Sequence, residues 1–175
     1  GVQVGPLVES KAVEKVSALV SDAVAKGATV ICGGEKISGP GFFYPPTVLS
    51  GVGLDADLMR TEIFGPVAVV IPFDTEADAV AMANDNLYGL GAGVWTRDVA
   101  RAHRVADAIV AGMVWVNDHH RLEPSLPWGG VKESGIGKDA GTESFDDFSW
   151  VKTVVVRTAD SSVDWYGASA ETRLN

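Results

Sequence analysis

Two spacings of apolar residues alternate along the chain, and each predicts one kind of secondary structure. From Ser10 to about Lys26, apolar residues recur every three or four positions, which predicts an amphipathic helix that Gly27 ends. Further helices are predicted downstream, over Asp55–Arg60, Thr75–Asn84, Asp98–Ala111 and Gly141–Phe148. Short runs rich in β-branched residues predict strands over Thr29–Cys32, Val67–Phe73, Leu90–Trp95, Met113–Asn117 and Trp150–Arg157.

The order of these elements predicts the fold class. Between Val67 and Asn117, strands and helices alternate through short links, which is typical of right-handed crossovers and a parallel sheet. We therefore predict an α/β fold. Upstream, Pro45 and Pro46 exclude a helix and disfavour a central strand in their segment.

The later part of the chain contains a long loop and an apolar end. Residues 118–138 show no regular pattern, and a loop of this length in a compact domain is usually functional or disordered. The Trp150–Arg157 strand would be an exposed edge unless another subunit or domain covered it. The polar tail, residues 159–175, is expected to wrap a neighbour or to fray.

Composition narrows the partners and the location. A chain of 175 residues can form one domain with a substantial core. Its 14 basic and 23 acidic residues give a net charge of −9, which argues against nucleic acid and anionic membranes as partners. No apolar run approaches the roughly 20 residues of a spanning helix, and the N-terminus has no signal-like pattern. The single cysteine excludes an intrachain disulfide and fits a reducing compartment, so the cytoplasm is predicted.

The segment from Thr61 to Val67 carries the first candidate chemistry. Glu62, Phe64 and a rigid Gly65-Pro66 turn stand directly before an apolar strand. A strand entered from such a turn can hold a carboxylate and a ring still, which a reacting site requires. The alternative is that Glu62 caps a turn and Phe64 fills a core.

Two motifs resemble one known family. Glu62–Val67 is similar to the E-x-F-G-P segment of the aldehyde dehydrogenase superfamily, and Trp115–Asn117 followed by Pro127–Asp139 matches a second block in the same order. The resemblance runs from about Gly1 to Arg157, but only to the C-terminal portion of such an enzyme. It implies a parallel-sheet, three-layer catalytic domain over residues 1–148 and an oligomerisation strand over residues 149–158, before the tail.

The resemblance also implies a reaction. Members of the family oxidise an aldehyde to a carboxylate with NAD or NADP, through a thiohemiacetal and a thioester on a cysteine. In the family pattern, that cysteine, the general-base glutamate and the dinucleotide-binding fold lie upstream of Gly1, so this chain alone is expected to be inactive. Cys32 is not expected to be the nucleophile, because no nearby histidine or helix start would lower its pKa.

By the same resemblance, Glu62 binds the nicotinamide ribose hydroxyls and Phe64 packs beside the nicotinamide ring. The choice between NAD and NADP is expected to be set upstream. The Trp150–Arg157 strand implies a homo-oligomer.

The loop from Asp118 to Trp128 aligns with the family's substrate-entry wall, where Leu122 and Trp128 would line the aldehyde channel. The indole of Trp128 offers a face for a cation, and Asp118 with Glu123 would favour an ammonium group, as in betaine- and aminoaldehyde-oxidising members. The alternative leaves Trp128 as an apolar wall for an aromatic or aliphatic aldehyde. Asn117 either supports this site or bonds local backbone.

Other motifs predict less. His119 and His120 are adjacent and lack a third ligand at suitable spacing, so no metal site is predicted. The glycines at 89, 91 and 93 and at 135 and 137 fall short of a G-x-G-x-x-G phosphate fingerprint. Two rival functions remain open: a non-catalytic module of the same fold, and a structural assembly protein held together by the Trp150–Arg157 strand.

Overall fold

The computed structural model describes residues 4–158 and 166. Apart from Tyr166, the predicted tail lies outside the described residues. Helices are α1 Ser10–Ala25, α2 Glu76–Asn84, α3 Val99–Ala108 and α4 Glu143–Asp147, with a 3-10 turn at Asp57–Met59. Strands are β1 Thr29–Cys32, β2 Thr47–Ser50, β3 Val67–Val70, β4 Tyr88–Gly89, β5 Gly91–Val94, β6 Met113–Val116 and β7 Val131–Lys132.

The described strands form three small sheets. The first has the order β1-β2-β3, with β2 parallel to β3 and β1 antiparallel to β2. The second pairs β5 with β6 in parallel, across the crossover helix α3, and the third pairs β4 with β7 antiparallel. Mixed helices and parallel strands confirm the predicted α/β class.

One strand was not predicted from the sequence. Pro45 and Pro46 were expected to disfavour a central strand in their own segment, and they lie outside any strand, but β2 follows them directly and lies between β1 and β3. The prolines do not interrupt the ladder, because β2 begins just after them and Thr47 donates its backbone N–H to the carbonyl of Pro66 at 2.8 Å. Proline is tolerated immediately before a strand for this reason.

The strand predicted over Trp150–Arg157 is also absent from the described structure. These residues form no strand ladder with any described segment, and Trp150 is 90% exposed. β-branched residues favour a strand only where another strand supplies the hydrogen-bond partners. The sequence pattern therefore indicates a capacity for strand pairing that the described residues do not use.

The core of the described structure lies under α1. Val16, Val20 and Leu49 are at most 2% exposed and pack between this helix and the first sheet. Fully burying each such side chain stabilises a fold by about 1.5–3 kcal/mol. The helix buries Val13, Val16, Leu19 and Val20 as the spacing predicts, but Ala23 is buried and Val24 is largely exposed.

Within residues 4–158, every helix is too short or too polar to traverse a membrane.

Candidate functional site

The turn from Glu62 to Pro66 is fixed against α1. Lys15 donates from Nζ to the backbone carbonyl of Glu62 at 2.6 Å. Gly65 lies so close to Val16 that an added Cβ would stand 2.5 Å from Cγ2 of the valine, which only glycine avoids. Because Val16 is fully buried, the turn is anchored to the best-packed part of the chain.

Phe64 projects from this turn into solvent. Its φ of 51° lies in the left-handed region, which is uncommon for a bulky residue, and its side chain is 78% exposed. It borders a cleft of about 430 Å³, together with Leu7, Val8 and Ile63. Phe64 therefore fills no core among the described residues. Strained backbone that presents an exposed ring is typical of a binding surface.

Glu62 is exposed beside Phe64. Its backbone carbonyl is bonded to Lys15, but within the described residues its carboxylate makes no hydrogen bond or ion pair. The carboxylate therefore keeps both oxygens available as acceptors, and it caps no turn. An unoccupied acceptor pair on a fixed turn suits a ligand that carries two neighbouring hydroxyls, such as a ribose.

Trp128 lines a second cleft, of about 480 Å³, with Leu90, Ile136 and Phe148 among its walls. The backbone of Trp128 exchanges hydrogen bonds with that of Asp139, at 2.6 and 2.7 Å. Lys138 Nζ donates to the carbonyls of Gly129 and Gly130 at 3.1 and 3.0 Å. The half-buried indole therefore belongs to a backbone segment that is hydrogen-bonded by both Asp139 and Lys138.

The loop that begins at Asp118 folds back onto Trp115. Asp118 accepts the N–H of His119 at 2.8 Å and has Arg121 Nη1 at 3.9 Å, so its carboxylate faces its own loop. Trp115 Nε1 donates to the carbonyl of Arg121 at 2.8 Å. Leu122 follows this bend and is about half exposed.

Asn117 binds local backbone. Its φ of 54° places the side chain across the ends of β5 and β6, where Oδ1 accepts from the N–H of Thr96 at 2.9 Å and Nδ2 donates to its carbonyl at 2.8 Å. Both polar atoms of the Asn117 amide are therefore bonded to the backbone of Thr96. Of the two roles left open for Asn117, the local structural one is therefore favoured.

The rings of His119 and His120 pack against the ring of Trp115. Ring centroids of Trp115 lie 5.9 Å from His119 and 6.2 Å from His120. Among the residues that the structure describes, no group of three or more histidine, cysteine or acidic side chains could hold a metal ion.

The structure does not bring the predicted site residues together. Phe64 borders one cleft and Trp128 another, whereas Glu62, Asp118 and Leu122 line neither of these two. The described chain therefore presents a candidate cofactor surface and a candidate substrate surface, without closing a pocket between them.

Sequence reasoning missed the contacts that lie between these surfaces. Arg60 binds the carboxylate of Asp85 through both terminal nitrogens, at 2.8 and 2.7 Å. Lys132 donates to the carbonyls of Asn84 and Asn86 at 2.9 and 3.0 Å. The partners are 25 or more positions apart, and no local periodicity reports such a pairing. The Arg60 guanidinium, with Lys132 nearby, holds the pKa of Asp85 below its ordinary value.

Comparison with known proteins gives one consistent result. The sequence profile of the aldehyde dehydrogenase family matches residues 1–154. A betaine aldehyde dehydrogenase from Cereibacter sphaeroides is 43% identical over 155 residues, covering 89% of this chain and 32% of that protein. A 2-aminomuconic semialdehyde dehydrogenase from Danio rerio is 44% identical over 160 residues, covering 87% of this chain and 33% of that protein.

Solved structures agree with these relatives. An NAD+ complex of an aldehyde dehydrogenase from Bacillus cereus superposes with a TM-score of 0.84 at 41% identity, covering 90% of this chain and 32% of that one. The chain thus spans about a third of the length of the relatives it matches. By the extent of its profile match, it belongs to the aldehyde dehydrogenase family.

Proposed function

We propose that a full-length protein containing this chain oxidises an aldehyde to a carboxylate with NAD or NADP. The observation that carries the proposal is the Glu62–Phe64 turn, where an exposed ring and a carboxylate without a partner among the described residues are held against α1. Family membership supports it, as does the similarity to a structure that contains NAD+.

The residues of this turn fit the nicotinamide end of such a cofactor. Glu62 would accept hydrogen bonds from two neighbouring ribose hydroxyls, and bonds to a charged acceptor contribute about 1.5–3 kcal/mol each. Phe64 would cover one face of the ring beside that ribose. The bound cofactor supplies the hydride acceptor, and this chain fixes where that acceptor lies.

The nucleophile and the general base are proposed to lie in the remainder of the protein. Cys32 is exposed on β1, with its Sγ 3.8 Å from the carbonyl of Pro46. The isolated chain is therefore expected to be inactive.

For the substrate, we favour an aldehyde with an ammonium group. The Trp128 indole is half-buried in its cleft and presents a π-face, and a betaine aldehyde dehydrogenase is among the similar proteins. Trp128→Phe in the full-length enzyme should raise KM several-fold for a trimethylammonium aldehyde relative to its uncharged isostere, since tryptophan binds cations best. An unchanged ratio of the two KM values would favour the alternative, Trp128 as a plain apolar wall.

Exposed apolar residues near the chain end favour a further role in assembly. Trp150, Val151 and Val155 are each at least 88% exposed. We propose that residues 150–157 pair with a second copy of the full-length protein, which would give the homo-oligomer. A non-catalytic assembly module is the second candidate function, and it predicts association without any turnover of aldehyde.

Glu62→Gln in the full-length protein tests the main proposal. The amide keeps the shape but loses the charge, so cofactor KM should rise about tenfold or more and hydride transfer should slow. Glu14→Gln, on the solvent side of α1, is the matched control and should leave both quantities unchanged. Equal kinetics for the two variants would contradict the assigned role of Glu62.

A further inference from the structure

The C-terminal end of α2 receives contacts from residues that lie next in sequence to each candidate surface. From the cofactor side comes Arg60, which immediately precedes the Thr61–Val67 segment. Its Nη1 and Nη2 bind the two oxygens of Asp85, and Nη1 also reaches the backbone carbonyl of Asp85 at 3.0 Å. A bidentate guanidinium–carboxylate pair fixes both distance and orientation.

From the substrate side comes Lys132. This residue lies in β7, just after the Trp128–Gly130 wall, and pairs with Tyr88 of β4. Its Nζ donates to the carbonyls of Asn84 and Asn86, which flank Asp85. Its φ of 56° is left-handed, so a non-glycine residue is held in an unfavourable conformation where it makes these bonds.

Stability does not account well for this arrangement. The Asp85 side chain is 55% exposed and that of Arg60 47%, and exposed ion pairs contribute little to folding free energy. What the pair does supply is geometry. None of Arg60, Asp85 and Lys132 lines either cleft, but Arg60 lies two positions before Glu62 in the chain and Lys132 four positions after Trp128. Arg60 and Lys132 therefore both bind residues 84–86 at the end of α2, each from a chain segment that carries one of the two surfaces.

We propose that Asp85 is a positioning residue that sets the Glu62–Phe64 turn relative to the Trp128 wall. The functional consequence rests on the proposed function: cofactor and aldehyde would be held in register by a residue that touches neither. Neutralising Asp85 should therefore loosen both surfaces together, although they lie on either side of it along the chain.

The test compares Asp85→Asn with Glu76→Gln in the full-length protein. Glu76 stands at the other end of α2 and pairs with Arg101 and Arg104 at 2.9 and 2.8 Å, so its variant removes another ion-paired carboxylate, 33% exposed, from the same helix. The Tm should fall by similar amounts in both. Only Asp85→Asn should raise the cofactor Kd and the aldehyde KM, each about tenfold, because small misplacements at a reacting site have large effects.

Hydrogen exchange without cofactor gives a readout that does not depend on activity. In Asp85→Asn, amides of residues 62–67 and 128–133 should exchange faster together, and Asp85→Glu should restore part of the protection. If those amides behave alike in Asp85→Asn and Glu76→Gln, the proposal is overturned. Should the wild-type protein neither bind cofactor nor oxidise aldehydes, the proposed function would fail, while the exchange measurement would still decide the role of Asp85.

Discussion

Residues 7–70 and residues 71–158 are held together by different forces. The first region contains all eleven members of the buried apolar cluster, which α1 closes over the first sheet. In the second region, Ala102 is the one buried apolar residue larger than glycine among those described. Side chains there hydrogen-bond to backbone instead. Asn84 bonds to the backbone of Ala108 and Val110, and Asn117, which follows β6, bonds to the backbone of Thr96, which follows β5.

The two candidate surfaces lie in regions that are stabilised differently. Polar clamps define geometry but contribute only about 0.5–1.5 kcal/mol each, whereas a closed core stabilises the region that contains it. The Glu62–Phe64 turn belongs to the first region and the Trp128–Gly130 wall to the second. Large exposed side chains in the second region, such as Phe73 and Trp95, are what a surface covered by further protein would present.

The largest expected effect contrasts one side chain from each region. Leu49 is fully buried, so Leu49→Ala should lower the free energy of unfolding of this chain by about 2–5 kcal/mol. Trp95→Ala removes more atoms, but from a side chain that is 71% exposed, and should change it by less than about 0.5 kcal/mol. Urea unfolding measures both, and comparable losses would refute the contrast between the regions.

The next effect concerns backbone packing in the second region. A Cβ added at Gly112 would overlap the carbonyl oxygen of Gly129, on the Trp128 wall. Gly112→Ala should therefore displace that wall and destabilise the second region by about 1–3 kcal/mol. Gly5→Ala is the control, since its Cβ meets open space. Near-ultraviolet circular dichroism should change for Gly112→Ala alone.

The smallest effect is a dependence on pH. Arg104 and Arg101 lower the pKa of Glu76, and Arg60 lowers that of Asp85, so both carboxyls have lower pKa values folded than unfolded. Their stabilisation is present above the unfolded values of about 4 and is lost as pH falls through the folded values. Asp22 of α1 also has a lowered pKa, through the backbone N–H of Asp57 and the side chain of Lys26, but α1 is held by the buried apolar cluster as well. Amides of α2 and α3 should therefore lose protection from hydrogen exchange in acid before those of α1, and simultaneous loss would contradict the comparison.

How much the sequence could predict follows the same division. Helix α1 was predicted nearly to its ends, because burial imposed the 3.6-residue spacing on Val13, Val16 and Val20. The residues of the two family motifs were recognisable, and the structure places Phe64 and Trp128 on clefts. Their assigned roles stay predictions.

What the sequence missed depends on distant partners. Strand β2 was not predicted, because its residues are defined as a strand by pairing with β1 and β3, and no local sequence pattern reports that pairing. The Arg60–Asp85 and Lys132 contacts join segments that no periodicity connects. For Trp150–Arg157 the local propensity indicates a strand, and the described residues supply no pairing for it.

The most direct measurement of the central claim pairs Glu62 with the hydroxyls it is proposed to bind. Cofactor affinity of the full-length protein would be compared for the natural dinucleotide and an analogue whose nicotinamide ribose lacks both hydroxyls. The wild-type protein should bind the analogue at least about tenfold more weakly, and Glu62→Gln should lose most of that discrimination. The same ratio of affinities in both proteins would show that the Glu62 carboxylate does not bind the ribose.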